Sequence, residues 1–179
     1  MLLRLALSLV PTLSLAFLSM SFPVAAADPL PVPSGEVILT VSGDVAHANA
    51  GDEVHFDREM LMDLSPRSIE TRTPWHRQPG RFEGPLVRTV LEAAGARGDR
   101  VRVQALNDFE AQIPVEDFHE YDALLAMRHN GQPMAIRDFG PLFVLYPFDH
   151  HPELNNETIR FRSVWQVGRI HVESRKDRD

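Results

Sequence analysis

The chain has 179 residues, with 18 lysine and arginine residues against 25 aspartate and glutamate residues, and it contains no cysteine. An acidic chain lacks the basic surface that binding to nucleic-acid phosphates requires, so nucleic acid is excluded as a partner. The lack of cysteine excludes disulfides, thiolate metal ligands and cysteine nucleophiles, so packing alone must stabilise the fold.

The first 27 residues have the pattern of a secretory signal peptide. One basic residue, Arg4, precedes a run rich in leucine, alanine and valine that ends at Ala25-Ala26-Ala27. A short basic start, an apolar centre and small residues at the exit are typical of a segment removed after export. The alternative is an uncleaved membrane anchor, which Pro11 and Pro23 disfavour because they interrupt the run. We therefore predict a periplasmic protein that is not inserted in the membrane once the signal is cleaved.

The remaining residues, about 150, suit one domain of ordinary size. Residues 28–35 are rich in proline and predict an extended, unpacked leader. Residues 36–173 are predicted to form the domain, and residues 174–179 a charged tail.

Within the domain, alternating or β-branched runs predict short strands, and helical spacing predicts a few short helices. The predicted strands cover residues 37–42, 54–56, 68–73, 101–105, 112–114, 123–128, 134–136, 142–146 and 164–172. Asp57 suits the N-cap of a helix over 58–64, Pro85 the first position of a helix ending before Gly95, and residues 116–121 a third helix. Loops are predicted at 74–83 and 147–156. This order predicts an α+β, mainly β, single domain of mixed sheet.

Three segments in the second half of the domain form a recognisable series. They read Asp122-Ala-Leu-Leu-Ala-Met-Arg-His-Asn-Gly-Gln-Pro-Met134, Arg137-Asp-Phe-Gly-Pro-Leu-Phe-Val-Leu-Tyr-Pro147 and Arg162-Ser-Val-Trp-Gln-Val-Gly-Arg-Ile-His-Val172. An Asn-Gly-x-Pro turn, an Arg-Asp-x-Gly-x-Pro loop before a buried strand and a closing strand in this order resemble the molybdopterin-binding domain of the sulfite-oxidase family.

The first half resembles the same family more loosely. Gly84-Pro-Leu-Val-Arg-Thr-Val-Leu-Glu-Ala-Ala-Gly95 is similar to the family's Gly-x-Pro-Leu helix. Asn107-Asp108-Phe109, followed by Ile113-Pro114, is similar to the turn after the next strand. The five fragments occur in the family's order and cover about residues 37–172, nearly the whole predicted domain.

The resemblance implies a pocket for a pterin, either a reduced pterin or a molybdopterin-like one. Catalytic members of the family bind molybdenum through a cysteine thiolate between the strand at 68–73 and the helix from Pro85. Here that connection is shorter, and Thr71, Thr73 and Trp75 occupy the region. A hydroxyl is a far weaker ligand than sulfur for a metal that prefers thiolate, so the chain argues against molybdenum.

A pterin ring is flat, and one edge donates from two nitrogens and accepts at an oxygen. A site for it needs an aromatic face, a carboxylate for the donor edge, and Arg or backbone N–H groups for the acceptors. Such groups lie on loops beside the matching motifs, where the aromatic residues can stack, the aspartates can accept and the arginines can donate. The predicted cofactor-binding residues are Trp75, Asn107, Asp108, Arg137, Asp138, Phe139, Gly140, Tyr146, Phe148, Asp149, Arg162 and Ser163.

Structural roles are open for some of these residues. Arg137 and Asp138 can instead form an ion pair that anchors their loop. Trp75 is flanked by Pro74 in a polar loop, where a large aromatic side chain has little structural reason to be, and this favours binding over core packing. Trp165 lies in an alternating strand pattern, which favours the core over ligand contact.

The run Asp149-His150-His151 raises the alternative of a metal site, with His76 or Glu153 as further ligands. Adjacent histidines rarely both turn to one ion, and the chain has no second paired motif, so a solvated loop is the simpler interpretation. A pH-sensitive contact is another use of the same histidines. We predict no metal site.

Some small exported members of this fold lack the metal ligand and resemble pterin-binding accessory proteins. These associate with the periplasmic domain of a membrane diguanylate cyclase/phosphodiesterase and adjust cyclic diguanylate signalling and biofilm formation. The short chain, the signal peptide and the missing cysteine resemble this group, which predicts a regulator whose partner is a membrane signalling protein. We predict no catalytic residue, since Ser163 lacks a Gly-x-Ser-x-Gly setting. Two alternatives stay open: a molybdopterin-dependent oxidoreductase or cofactor-bearing redox subunit, and a scaffold whose pocket has decayed.

Overall fold

The computed structural model describes residues 30–173, so the predicted signal peptide, the start of the leader and the charged tail lie outside the described residues. The strands are β1 (Val37–Gly43), β2 (Val54–Asp57), β3 (Arg67–Thr73), β4 (His76–Gly84), β5 (Arg100–Ala105), β6 (Glu110–Pro114), β7 (Leu124–Ala126), β8 (Arg128–His129), β9 (Gln132–Pro133), β10 (Phe143–Leu145) and β11 (Val167–Glu173). The α-helices are α1 (Arg58–Met62), α2 (Val87–Ala93), α3 (Val115–Glu120) and α4 (Glu157–Arg162), with 3₁₀ turns at Ile136–Asp138 and Pro152–Leu154. Between residues 30 and 173, no helix is long and apolar enough to cross a membrane.

The strands form three sheets, which confirms the predicted α+β, mainly β fold. The largest sheet has the order β2-β1-β11-β5-β6, with β1 parallel to β11 and the other neighbours antiparallel. A four-stranded sheet has the order β3-β4-β8-β9, and β10 pairs with β7 alone. Alternation along the strands directs side chains such as Val101 and Val103 of β5 into the core while their neighbours face solvent.

The β7–β10 pair links the two larger sheets. The N–H of Leu125 in β7 donates to the carbonyl of Pro85 just after β4 (2.8 Å), and the N–H of Val144 in β10 donates to the carbonyl of Val164 before β11 (2.8 Å). A Cβ added to Gly84 would lie 2.0 Å from the carbonyl oxygen of Leu125, so only glycine permits this approach. Every residue of β7 and β10 is buried, as expected for the apolar run at 142–146.

The predicted loop at 74–83 is wrong, because most of it is strand β4. Phe82 of β4 pairs with Ile69 of β3 on one side and with His129 of β8 on the other. Pro79 and Gly80 are residues that local preference excludes from strands, but pairing on both sides and burial of Phe82 outweigh that preference. The region between β3 and α2 is therefore a hairpin strand with a tight turn at residues 73–76.

Helix α4 was not predicted, and it displaces the start of the last strand. The side chain of Asn156 caps α4 by accepting from the N–H of Ile159 (3.0 Å). Ser163 ends the helix, and β11 begins only at Val167 instead of Val164. Similarly, Val87 rather than Pro85 is the first residue of α2, and residues 134–136 run into a 3₁₀ turn rather than a strand.

The described end of the leader is packed, contrary to the prediction. One carboxylate oxygen of Asp57 accepts from the N–H of Met60 at the start of α1 (2.9 Å). The other accepts from the N–H groups of Ser34 (2.9 Å) and Gly35 (2.8 Å). These backbone bonds, that of Met60 most of all, lower the pKa of Asp57. Leu30 packs against the hydrophobic core, and the side-chain amide of Asn49 donates to the carbonyl of Pro31 (2.8 Å), so residues 30–35 are attached to the domain at three points.

Candidate functional site

A mostly apolar cavity lies between the β3–β4 turn, the β5–β6 hairpin, α4 and the segment that enters β11. We call it the aromatic cavity. It has a volume of about 390 Å³ and is lined by Trp75, Asn107, Phe109, Glu157, Arg160, Phe161, Ser163, Val164 and Trp165. This volume lies in the range of small-molecule sites, which are usually apolar with a few placed polar groups.

The inner wall of the aromatic cavity is made by Trp75. Its half-buried indole meets Trp165 edge-on at 5.4 Å between ring centroids, Phe143 at 5.6 Å and Phe148 at 6.1 Å. The N–H of Trp75 donates to the hydroxyl of Thr73 (3.2 Å), which fixes the turn that carries the indole. Trp75 is therefore both part of the packed interior and part of a surface that a ligand can touch.

Two phenylalanines flank the cavity from the β5–β6 hairpin and from α4. The rings of Phe109 and Phe161 lie 5.0 Å apart in an edge-to-face arrangement, and 40% of Phe109 and 55% of Phe161 are exposed. Between them and Trp75 lies an apolar slot in which a planar molecule can contact aromatic surface on more than one side.

Polar groups of the cavity come mainly from one helix. Glu157 and Arg160 lie on α4, and the buried Ser163 follows it, with its hydroxyl donating to the carbonyl of Ile159 (2.8 Å). A carboxylate accepts hydrogen bonds at both oxygens and a guanidinium donates several, so the cavity offers both functions.

A second cavity, the polar cleft, adjoins the first at Arg160. Its volume is about 500 Å³, and it is lined by Arg72, Thr73, Pro74, Phe148, Asp149, Pro152, Asn155 and Arg160. Arg160 donates to the side-chain oxygen of Asn155 (2.7 Å). Because Arg160 lines both cavities, a ligand that contacts it from the aromatic cavity acts on the loop that borders the polar cleft.

The structure brings five of the sequence-predicted residues to these cavities. Trp75, Asn107 and Ser163 line the aromatic cavity, and Phe148 and Asp149 line the polar cleft. Asp149 also ties its loop to the sheet, since its carboxylate accepts from the N–H of Arg72 (2.8 Å) and its own N–H donates to Thr71 (3.1 Å).

Tyr146 and Arg162 belong instead to a buried network around Asp117. The Tyr146 hydroxyl (2.9 Å) and a guanidinium nitrogen of Arg162 (2.8 Å) both donate to the same carboxylate oxygen. Burial, together with the Asp117 charge, raises the pKa of Tyr146 well above its ordinary value. The Tyr146 ring is fully buried and has no free face on which a ligand can stack, which corrects its expected role.

Three charged residues of the predicted site, Arg137, Asp138 and Asp108, line neither cavity. Arg137 and Asp138 pair with each other (3.3 Å), and their side chains are 88% and 64% exposed. This exposed contact matches the ion-pair alternative more closely than a closed binding site. Asp108 adopts a left-handed backbone conformation and accepts from Gln104 (3.5 Å) beside a shallow depression.

Phe139 and Gly140 serve packing in the same loop. The Phe139 ring lies 5.5 Å from Trp165 and 5.1 Å from His76, behind the wall of the aromatic cavity. A Cβ at Gly140 would lie 2.1 Å from the carbonyl oxygen of Met134, so a larger residue cannot follow Phe139 without moving the backbone.

Several cavity residues were absent from the predicted set. They are Phe109, Glu157, Arg160, Phe161, Val164 and Trp165. Five of them lie on or just after α4, and the local signal that could have revealed this helix is Asn156, a residue type favoured at N-caps. Trp165 was expected in the core because its strand was predicted to begin too early; it lies in the connection before β11 and is half-buried.

The histidines of the alternative metal site make other contacts. Among residues 30–173, no group of three His, Asp or Glu side chains is placed to hold a metal ion. His151 contacts Glu153 (3.2 Å), whereas His76 bonds to Thr73 (2.7 Å) in the β3–β4 turn. With no cysteine in the chain, the donor set does not suit molybdenum, whereas the aromatic cavity suits a flat organic ring.

Residues 58–148 match the family described as the oxidoreductase molybdopterin binding domain. The match covers half of the chain, and the chain belongs to this family, which confirms the resemblance read from its motifs. Family membership indicates a cofactor of the pterin type. The match ends before α4, so Trp75 lies inside the matched range while Phe161 and Trp165 lie beyond it. A comparison with curated proteins finds no match.

Replacing Trp75 distinguishes its contribution to ligand binding from its contribution to the stability of the fold. We expect Trp75→Phe to keep most of the affinity for biopterin, and Trp75→Ala to lose about 1 kcal/mol or more, or about fivefold, because the aromatic face is gone. Since Trp75 is only half-buried, its truncation should lower the free energy of unfolding by less than the roughly 3–5 kcal/mol of a fully buried aromatic residue. Calorimetric titration and thermal unfolding measure both. Unchanged affinity in a folded Trp75→Ala protein would remove the indole from the site.

Proposed function

We propose that the protein is a periplasmic pterin-binding regulator of a membrane diguanylate cyclase/phosphodiesterase, and that it adjusts cyclic diguanylate signalling and biofilm formation according to the occupancy of its pterin site. The observation that carries the proposal is a chain of the molybdopterin-binding family that has an aromatic cavity but no cysteine. Such a chain retains a place for the ring of the cofactor and lacks the thiolate that would retain its metal.

The aromatic cavity is the pterin site in this proposal. Trp75 and Trp165 form the inner wall, and Phe109 and Phe161 flank the slot. Stacked and edge-on aromatic contacts of this kind suit a bicyclic ring, which gains both buried area and favourable ring geometry.

Glu157 is the acceptor for the donor edge of the ring. It is the carboxylate among the residues that line the aromatic cavity, and it lies one helical turn from Arg160. With Asn107 and Ser163 also at the cavity, the ligand's ring oxygen and nitrogens meet both donors and acceptors. This arrangement assigns to α4 the role that the sequence had suggested for Asp108, Asp138 and Asp149.

Two substitutions test this assignment against the one suggested by the sequence. Glu157→Gln keeps the shape of the side chain but removes its charge, so it should weaken biopterin binding by about 1.5–3 kcal/mol, or roughly ten- to hundredfold. Asp138→Asn is the matched control and should leave affinity unchanged, because Asp138 is exposed and outside both cavities. Titration calorimetry measures both. The reverse pattern would move the ligand to the loop at 137–140.

A regulatory role requires that the partner distinguish the bound from the empty protein, and the effect cannot exceed the partner's difference in affinity for the two states. The loop from Phe148 to Asn155 is suited to report occupancy. It borders the polar cleft and touches Arg160, which also faces the proposed ligand. Its exposed end carries His150 beside the tied Asp149.

Partner association is expected to depend on the ligand. Periplasmic sensory domains of the host's diguanylate cyclases, immobilised in turn, should bind the protein with affinities that differ between biopterin-saturated and ligand-free samples. The substitution Asn155→Ala should reduce this difference, because it removes the contact between Arg160 and the loop. Ser68→Ala serves as the control, because Ser68 lies on β3 and lines neither cavity. Equal partner affinities in both states would refute ligand-dependent regulation.

An oxidoreductase is the second candidate, and the family description favours it. Extraction of small molecules from protein purified from the host, with fluorescence, mass spectrometry and metal analysis in parallel, separates the candidates. We expect a pterin without stoichiometric molybdenum. Stoichiometric molybdenum together with turnover of sulfite or a sulfoxide would establish the enzyme, and a protein that yields no pterin and binds none would indicate a scaffold.

A further inference from the structure

Two histidines form a pair behind the wall of the aromatic cavity. His76 begins β4 and His129 ends β8, and their ring centroids lie 4.7 Å apart. Phe82 stacks on His129 at 4.4 Å with nearly parallel planes and meets His76 edge-on at 5.3 Å. Phe139 meets His76 at 5.1 Å. The ring contacts of both imidazoles are therefore with aromatic side chains and with each other.

The hydrogen bonds around His76 are satisfied by a neutral ring. The hydroxyl oxygen of Thr73 accepts from the N–H groups of Trp75 (3.2 Å) and His76 (3.1 Å), so its own proton is available for Nδ1 of His76 at 2.7 Å. A nitrogen that accepts this bond carries no proton. Protonation of Nδ1 would replace the bond by a contact between two donors.

His129 has no place for a second proton either. Its Nε2 is buried, and within residues 30–173 no hydrogen-bond partner reaches it. The atom lies against the backbone of β4, since a Cβ added to Gly80 would lie 2.2 Å from it. A buried N–H of a charged ring without an acceptor costs considerable free energy, so protonation favours a position of the ring outside this packing.

The charges near the pair do not compensate for burial. Burial lowers the pKa of His76, and the neighbouring His129 lowers it further. Burial also lowers the pKa of His129, although the Asp138 charge opposes this. Asp138 is itself paired with Arg137. The remaining charged side chains of β4 and β8 are Arg77, Arg81, Glu83 and Arg128. Arg81 pairs with Glu83 (3.0 Å), and Glu83 is the cross-strand partner of Arg128, on the face opposite Phe82 and His129.

The pair is connected to the proposed ligand site by two direct contacts. Phe139 touches both His76 and Trp165, and Trp165 lines the aromatic cavity. Trp75, the other indole of the cavity, precedes His76 in the chain and shares the Thr73 hydroxyl with it. A displacement of the His76 ring therefore changes the contacts that hold both tryptophans, Phe139 against Trp165 and the Thr73 hydroxyl at Trp75.

We propose that the His76–His129 pair is a proton-binding site that regulates the ligand site: the ligand binds the form with two neutral imidazoles, and protonation of either ring loosens the aromatic wall and weakens binding. The inference rests on the proposed function, because the affinity that changes is that for the proposed pterin. It deepens that function by making occupancy depend on pH as well as on ligand concentration.

The direction of the effect follows from the lowered pKa values. In the folded, ligand-free protein both rings stay neutral to a pH below the ordinary histidine value of about 6.5. Binding is strongest and constant above that value. As the pH falls through the folded pKa of the pair, the ligand-free protein takes up a proton that the bound form excludes, and the dissociation constant should rise up to about tenfold per pH unit.

The test compares biopterin affinity from about pH 8 to about pH 5, the range in which histidines titrate. The double variant His76→Asn/His129→Gln supplies amide groups near the positions of Nδ1 and Nε2 but cannot titrate. His119→Gln, at an exposed position of α3, is the control. The two tryptophans of the chain, Trp75 and Trp165, give a second measurement, because their emission in ligand-free protein reports the cavity wall alone.

The wild type and the control should lose affinity at low pH, whereas the affinity of the double variant, whatever its value at high pH, should not change with pH because it has no ring to protonate. Constant wild-type affinity, or a pH dependence that persists in the double variant, overturns the inference. If biopterin binds at no pH, the proposed function fails, and the tryptophan emission of the ligand-free protein then tests the inference. A pH-dependent change in emission that is absent only from the double variant supports the inference. Identical emission profiles in wild type and double variant overturn it. Should the double variant not fold, each single variant must shift the midpoint of the titration, and an unshifted midpoint overturns the inference.

Discussion

A contact among three aromatic rings joins the three sheets: one ring comes from the β3–β4 turn, one from β10 and one from the connection that enters β11. Trp75 belongs to the hairpin of the four-stranded sheet, Phe143 to β10 of the central pair, and Trp165 to the entry of the five-stranded sheet. Each edge-on contact contributes about 0.5–1.5 kcal/mol beyond its buried area. Because the three sheets meet at these rings, the position of the sheets and the shape of the cavity are determined by the same side chains.

This sharing of residues means that the aromatic wall of the cavity needs no metal ion for its stability. Trp75 and Trp165 pack against the hydrophobic core, so neither can be removed without loss of contacts within it. The polar residues Glu157 and Arg160 of the cavity are exposed on α4, so they can be replaced without loss of the core.

The sequence predicted the fold where local signals and long-range pairing agree. The alternating strands, the Asp57 cap and the turn at Asn130-Gly131, both with positive φ, are such cases. It failed for β4, where Pro79-Gly80 opposes strand formation and only pairing with β3 and β8 overrides it. The site was predicted only in part, because some of its residues carry a local signal and others do not. Trp75 was predicted because it is a large aromatic residue among polar neighbours. Helix α4 has six residues, too few for a periodic pattern, so Glu157 and Arg160 were not predicted. Burial of Tyr146 depends on distant Asp117, which no local pattern encodes.

The carboxylate of Asp57 fastens the amino-terminal segment through charge rather than through apolar packing alone. Its oxygens bind the N–H groups of Ser34 and Gly35 as well as the start of α1. These bonds lower its pKa, so the attachment is complete at neutral pH and is lost as the pH falls through that lowered value. The segment would then be held only by the packing of Leu30 and by the bond from the Asn49 amide to the carbonyl of Pro31 (2.8 Å). The acidity of the surroundings therefore sets how many of these attachments are made, and with them how far the amino-terminal segment can separate from the sheets.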